Sequence, residues 1–178
     1  MIIYYYRKSK LHSTEHTDRL IERSLSAYGV KEPVCVLRTK KGKPYVSAEG
    51  LFVGVSHTAT LVLVAVAPHD FGMDVERRDR RLQHLGKLME TCCTPEEKEQ
   101  LLQMNIAERT EGFLTLWTRK EALLKQRGAG LCDLKWAQTN KAEGHFHTFY
   151  RGSYIITVYA EDKVQEIKEE NMDGVCFE

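Results

Sequence analysis

Trp117-Thr118-Arg119-Lys120-Glu121-Ala122-Leu123-Leu124-Lys125 is the stretch on which the reading of this chain turns. It lies between residues 108 and 126, which hold no proline and one glycine, Gly112. Leu114, Leu116, Trp117, Ala122, Leu123 and Leu124 recur at spacings of three, four and seven, the pattern of an amphipathic helix. Gly128 and Gly130 mark its end. Residues three and four apart share a helix face, so Trp117, Lys120, Glu121 and Lys125 are expected along one side. One acid is then held between two lysines beside a large aromatic ring. A solvated surface helix with a favourable Glu121–Lys125 pair would look the same. A second acidic cluster, Asp74-Val75-Glu76, argues for more.

Outward from this helix, the chain alternates short strands and helices. Residues 2–6 read as a strand. His12-Ser13-Thr14-Glu15 offers a helix cap, and Leu20, Ile21, Leu25 and Tyr28 form a stripe ending at Gly29. Residues 34–37 read as a strand, and Thr39-Lys40-Lys41-Gly42-Lys43-Pro44 as a basic turn. Residues 51–55 and 60–67 are β-branched strands with Ser56-His57-Thr58 between them. Pro68-His69-Asp70 is a turn before a strand at 71–76. A helix is expected at 82–91. Thr94-Pro95-Glu96-Glu97 starts another: capping threonine, proline at the first position, acids in the first turn. Strands at 145–150 and 154–159 follow, with a last one at 164–167. The expected fold class is α+β. Two pseudo-symmetric halves, about 1–68 and 69–178, each pack helix on a small, mostly antiparallel sheet and form a single functional domain.

Composition bounds the partners. The 178 residues carry a formal net charge of +1, with 42% hydrophobic and 29% charged residues. That is normal for a globular domain and gives no basic field for nucleic acid. No apolar run approaches a membrane span. At the start of the chain, Arg7 and Lys8 follow the apolar residues, the wrong order for a signal peptide. Cys35, Cys92, Cys93, Cys132 and Cys176 are odd in number and lack zinc-knuckle spacing. They read as reduced thiols of a cytoplasmic protein.

On a strand, Asp74 and Glu76 point the same way and Val75 points to the core. Two carboxylates on one face repel unless a cation sits between them. Hard oxygen ligands suit Mg²⁺, which keeps waters and binds substrate phosphates. Glu121 can complete the set, and the lysines beside it can neutralise phosphate oxygens. Metal, acids and lysines together suggest phosphoryl-type transfer, in which positioning and charge neutralisation supply most of the catalysis. His145 and His147 also share a strand face, but no third ligand at suitable spacing accompanies them.

These residues resemble a known family. Gly72-Met73-Asp74-Val75-Glu76 is similar to the first signature of the 4′-phosphopantetheinyl transferase superfamily, and the 117–125 nonapeptide to its second. Gly42-Lys43-Pro44-Tyr45 and Gly54-Val55-Ser56-His57-Thr58 are similar to segments of its longer branch. The resemblance runs from about residue 19 to 131. It implies an enzyme that moves the 4′-phosphopantetheine arm of coenzyme A onto a serine hydroxyl of an apo acyl or peptidyl carrier protein. Adenosine 3′,5′-bisphosphate is released. By the same resemblance, Asp74, Glu76 and Glu121 hold Mg²⁺, with Mn²⁺ the other ion these ligands accept. Glu121, or a metal-ordered water near it, is the candidate base for the carrier serine, and Lys125 stabilises the displaced pyrophosphate charge. Lys120 supports phosphate binding or orders the helix. His57, with Ser56 beside it, contacts a coenzyme A phosphate, and Lys43 lies near the nucleotide phosphates. Trp117 packs to fix the helix. The basic run Arg77-Arg78-Asp79-Arg80-Arg81 offers a solvated face to an acidic carrier.

The chain departs from the longer branch in length, and Asp74 falls early. Basic residues that long members place before the first helix are missing, leaving Arg19 and Lys40 as substitutes for the 3′-phosphate. The expected site is compact, lies between two halves and works as a monomer. Two rivals remain. An Mg²⁺-dependent nuclease also uses acids with a lysine, but usually two apart on a strand. An inactive coenzyme A- or carrier-binding module would keep the fold without transfer.

Overall fold

The computed structural model describes residues 1–8 and 13–175; His12 of the expected cap and Cys176 lie outside them. The first sheet is built on β5 (Leu61–Ala67), whose seven residues are all buried. A run of β-branched and aliphatic residues suits a strand covered on both faces. It pairs antiparallel with β4 (Phe52–His57) and with β1 (Ile2–Arg7). β9 (Lys168–Asn171) adds parallel to β1, giving the order β4-β5-β1-β9. A second, antiparallel sheet has the order β6 (Gly72–Arg77), β8 (Tyr154–Ala160), β7 (His145–Arg151). A small hairpin joins β2 (Val36–Arg38) to β3 (Pro44–Val46) around the expected basic turn.

The two sheets face each other. Ile3, Tyr5, Leu61 and Leu63 meet Met73, Val75, Ile156 and Val158 in one apolar layer. On the far side of the first sheet, Tyr4, Tyr6, Val62 and Val64 pack on Leu20, Ile21 and Leu25 of α1 (Thr14–Tyr28). Ser13 caps that helix, and Gly29, at φ +105°, closes it in the left-handed conformation that glycine adopts readily. On the far side of the second sheet, Tyr159 meets Phe113, Ala122 and Leu123 of α4 (Ile106–Gln126). Met89 of α2 (Leu85–Cys92) and Leu101 of α3 (Pro95–Gln103) join that cluster. Period-two alternation in the strands thus gives four layers: helix, sheet, sheet, helix. The class is α+β, as expected. Thr94 and Glu97 form the capping box that starts α3.

Several local expectations change. Ser56 and His57 belong to β4 rather than to a connection, because the ladder to β5 continues through His57↔Val62. The last strand is β9, after the expected 164–167. Val164 is buried in the layer between the sheets, and pairing begins where Lys168 N–H donates to Met1 O at 3.1 Å. β9 therefore returns to the sheet of the first half. Short 3₁₀ segments at Leu131–Trp136 and Thr139–Lys141 fill the stretch before β7. No helix among the described residues is long and apolar enough to cross a membrane. Cys35, Cys92, Cys93 and Cys132 are free thiols.

Candidate active site

β4 and β6 are edge strands of the two sheets, and Ser56 stitches them together. Val75 N–H on β6 donates to Ser56 Oγ at 3.2 Å. Ser56 Oγ is 2.9 Å from Asp74 Oδ1, and Lys125 Nζ on α4 donates to Ser56 Oγ at 3.1 Å. A hydroxyl has one proton to give and two lone pairs, and all three are used. Ser56 is also buried. Its hydroxyl positions Asp74 and Lys125.

Asp74 is 5% exposed. Lys125 Nζ donates to its Oδ1 at 2.6 Å. Its other oxygen, Oδ2, is buried without a hydrogen-bond partner. Beneath it runs a row of threonines: Thr157, opposite Asp74 in the ladder, lies 3.1 Å from both Thr118 of α4 and Thr148 of β7. Asp74 and Glu76 therefore face α4 while Val75 enters the core, as the strand period requires. Glu76 accepts from Arg80 at 2.6 Å. Burial raises its pKa above the usual carboxylate value, against the pull of Arg80.

Glu121 faces the same cluster from α4. Its pKa is pushed up to about 7, first by burial and then by the charge of Asp74; Lys125 opposes this and Glu76 adds to it. A carboxyl poised there can take a proton near neutral pH. The helix comes this close because residue 72 is glycine. A Cβ on Gly72 would lie 1.9 Å from Ala122 O and 2.5 Å from Gln126 N.

Three coupled carboxylates, one with a buried oxygen lacking a partner, form a donor set suited to a hard divalent cation. As the side chains stand, Lys125 and Arg80 hold Asp74 and Glu76. Among the described residues, no three His, Cys, Asp or Glu side chains form a ready-made ion cluster. The protein's own cations occupy the acids that a metal would share.

The other expected residues divide. His57 ends β4, with Lys8 Nζ 3.1 Å from its Nδ1. Its pKa is lowered, first by burial and then by Lys8 and Lys125. Lys43 donates to Asp70 Oδ1 at 2.8 Å and to Gln126 O at 2.9 Å. It lines a cavity of about 210 Å³ with Gly42, Gly54, Phe71, Gly72 and Lys125.

Lys120 leaves the group. It is 1% exposed, ion-paired to Glu97 at 2.7 Å, and donates to Leu134 O at 3.1 Å. The side chain ties α4 to α3 and the 3₁₀ segment, which fits the expectation that it orders the helix. Lys120 and Glu121 are consecutive, about 100° apart around a helix, so the expected common face splits between them. Trp117 packs beside Phe113, ring centroids 6.0 Å apart.

Arg77 pairs with Asp79, and Arg78 with Glu111, so the basic run is partly neutralised within the chain. Arg19 pairs with Glu15 on the exposed face of α1. Burial and His145 lower the pKa of His147.

Lys8 lies outside every motif segment singled out in the sequence, and Asp70, Glu97 and Arg80, read there only as parts of a turn, a helix start and a basic run, are the partners of Lys43, Lys120 and Glu76.

A sequence profile of the 4′-phosphopantetheinyl transferase superfamily matches residues 70–171, more than half of the chain. A protein of Bacillus subtilis named 4′-phosphopantetheinyl transferase is 28% identical over 130 residues, covering 71% of this chain and 57% of that protein. The match thus spans little more than half the length of this curated relative. The profile spans β6 to β9, the segment that carries Asp74, Glu76, Glu121 and Lys125, and the chain belongs to the 4′-phosphopantetheinyl transferase superfamily.

Proposed function

We propose that this protein transfers 4′-phosphopantetheine from coenzyme A to a serine hydroxyl of an apo carrier protein. The observation that carries the reading is Glu121. It is a carboxyl poised near neutrality, facing an acid pair and a lysine within the segment matched by the superfamily. Its protonation range lets it accept the serine proton as the hydroxyl attacks. The serine oxygen forms a bond to the pantetheine-side phosphorus of the pyrophosphate. The bond from that phosphorus to the bridging oxygen breaks, and adenosine 3′,5′-bisphosphate leaves with the electron pair.

Lys125, held at Asp74 and Ser56, lies where it can neutralise charge on the leaving phosphate. Asp74, Glu76 and Glu121 would hold Mg²⁺, with Mn²⁺ the alternative. Bound there, the ion supplies Lewis-acid stabilisation of the pyrophosphate charge. Lys43, in its cavity beside Gly72 and Lys125, suits the nucleotide end of the donor, and His57 a phosphate. The partners are coenzyme A and an acyl or peptidyl carrier of fatty acid, polyketide or nonribosomal peptide synthesis. The chain works as one functional domain and as a cytoplasmic monomer.

Chromatography of the nucleotide products tests the reaction. Adenosine 3′,5′-bisphosphate should appear only when coenzyme A, Mg²⁺ and an apo carrier are all present. Its appearance without a carrier would mean hydrolysis and would contradict transfer.

A further inference from the structure

Thr157 is fully buried in the middle of β8, between Ile156 and Val158. A buried hydroxyl costs stability unless it is hydrogen-bonded, and a valine would fill nearly the same space. Its partners give the hydroxyl a direction. Thr118 gives its one hydroxyl proton to Thr115 O at 2.9 Å. Thr157 must therefore donate to Thr118 Oγ1 at 3.1 Å, and Thr148 to Thr157 Oγ1 at 3.1 Å. Arg119 Nε donates to Thr148 Oγ1 at 3.1 Å and completes the series. One line of hydrogen bonds thus leaves α4 at Arg119, crosses β7 and β8, and returns to α4 at Thr118, each member polarising the next.

This line sits under the reaction site. Thr157 and Thr148 share a ladder row with Asp74. Thr118 is three residues before Glu121 and seven before Lys125, on the same face of α4. Other contacts that set α4 on this sheet serve differently. Tyr159, Phe113, Ala122 and Leu123 form an apolar layer, which is non-directional and opposes sliding along the helix axis only weakly. Lys125 holds Asp74 and Ser56, but in transfer it is needed at the leaving phosphate. The threonines use none of the groups that transfer requires.

We infer that Thr157 is a positioning residue for transfer: through Thr118 and Thr148 it holds α4 in register along the second sheet, and so keeps Glu121 against the acid pair when Lys125 turns to the leaving phosphate. This rests on the transfer reaction proposed above. Thr148 and Thr157 lie outside every motif segment.

Steady-state kinetics of carrier modification by wild type, T157V, T157S and T148V test it, at a temperature well below each variant's thermal midpoint. Valine keeps the branched shape that suits a strand and removes only the hydroxyl link. Thr118 keeps its own bond to Thr115 O, so α4 itself stays intact. T157V should lose about tenfold to a hundredfold in kcat, the effect of a small misplacement of reacting groups, with the KM for coenzyme A and its calorimetric affinity within about twofold of wild type. T157S, which keeps the hydroxyl, should recover most of kcat. T148V, at a half-buried position, should show the same split and replaces T157V should that variant fail to fold. T157V, or T148V in its place, with wild-type kcat overturns the positioning role. So does a loss confined to KM or to thermal stability, or a loss in T157S as large as in T157V. Wild type that modifies no carrier overturns the transfer reaction itself, and this inference with it.

Discussion

Lys125 Nζ lies 2.6 Å from Asp74 Oδ1, joining α4 to β6 across the site. The same ammonium donates to Ser56 on β4, so one side chain gathers a helix and the edge strands of both sheets. Glu121, one helical turn before Lys125, is left as the acid whose own charge this arrangement does not fully balance.

That imbalance makes stability depend on pH. Glu121 titrates near 7 in the fold against an ordinary value of about 4.3 in an unfolded chain. Between these values the folded state binds more proton, so the contribution of Glu121 to stability falls as pH rises from about 4.3 through 7. It stays unfavourable above that range. The upward shift of Glu76 acts in the same direction. In EDTA, Glu121→Gln should therefore raise the thermal midpoint over wild type more at pH 8 than at pH 5. Mg²⁺ at pH 8 should narrow the difference by stabilising wild type. An equal difference at both pH values would contradict the assigned titration.

Lys120 should behave as a structural residue. Its partner Glu97 is buried beside it, and removing one member of a buried ion pair typically costs about 3–5 kcal/mol. Lys120→Met should show that loss in urea unfolding, and Glu97→Leu in the same chain should recover much of it. A Lys120→Met protein of wild-type stability with lost coenzyme A binding would instead support the phosphate role.

Gly72 is fixed by the helix, not by a turn. Gly72→Ala places a Cβ against the backbone of Ala122 and Gln126, so α4 must move outward. Overpacking of this kind costs about 1–3 kcal/mol. The displaced Glu121 and Lys125 should also weaken coenzyme A binding and transfer. Wild-type stability and turnover in this variant would show that the helix can shift without consequence.

Much of this was legible in residue order, for a physical reason. Asp74, Glu76, Glu121 and Lys125 sit on regular elements, where periods of two and 3.6 dictate direction. Ser13, Gly29 and Thr94 announce their caps through chemistry confined to a few neighbouring residues. The misreadings involve contacts that periodicity cannot see. Lys120 and Glu121 are adjacent, and only α3 packing on α4 decides that one is buried and the other faces the site. Ser56 looked like a loop ligand because the ladder to β5 is not visible in composition. Lys8 stands far from His57 in the chain, and only the strand order β4-β5-β1 brings them together. β9 is too short and too polar to announce its pairing with β1.

The most direct test is the intact mass of an apo carrier protein incubated with this protein, coenzyme A and Mg²⁺, alongside EDTA and Glu121→Gln controls. The account predicts a gain equal to one phosphopantetheine arm, abolished by EDTA and lost in Glu121→Gln. No gain on carriers drawn from all three classes of pathway, with coenzyme A still bound, would contradict it and leave a binding module.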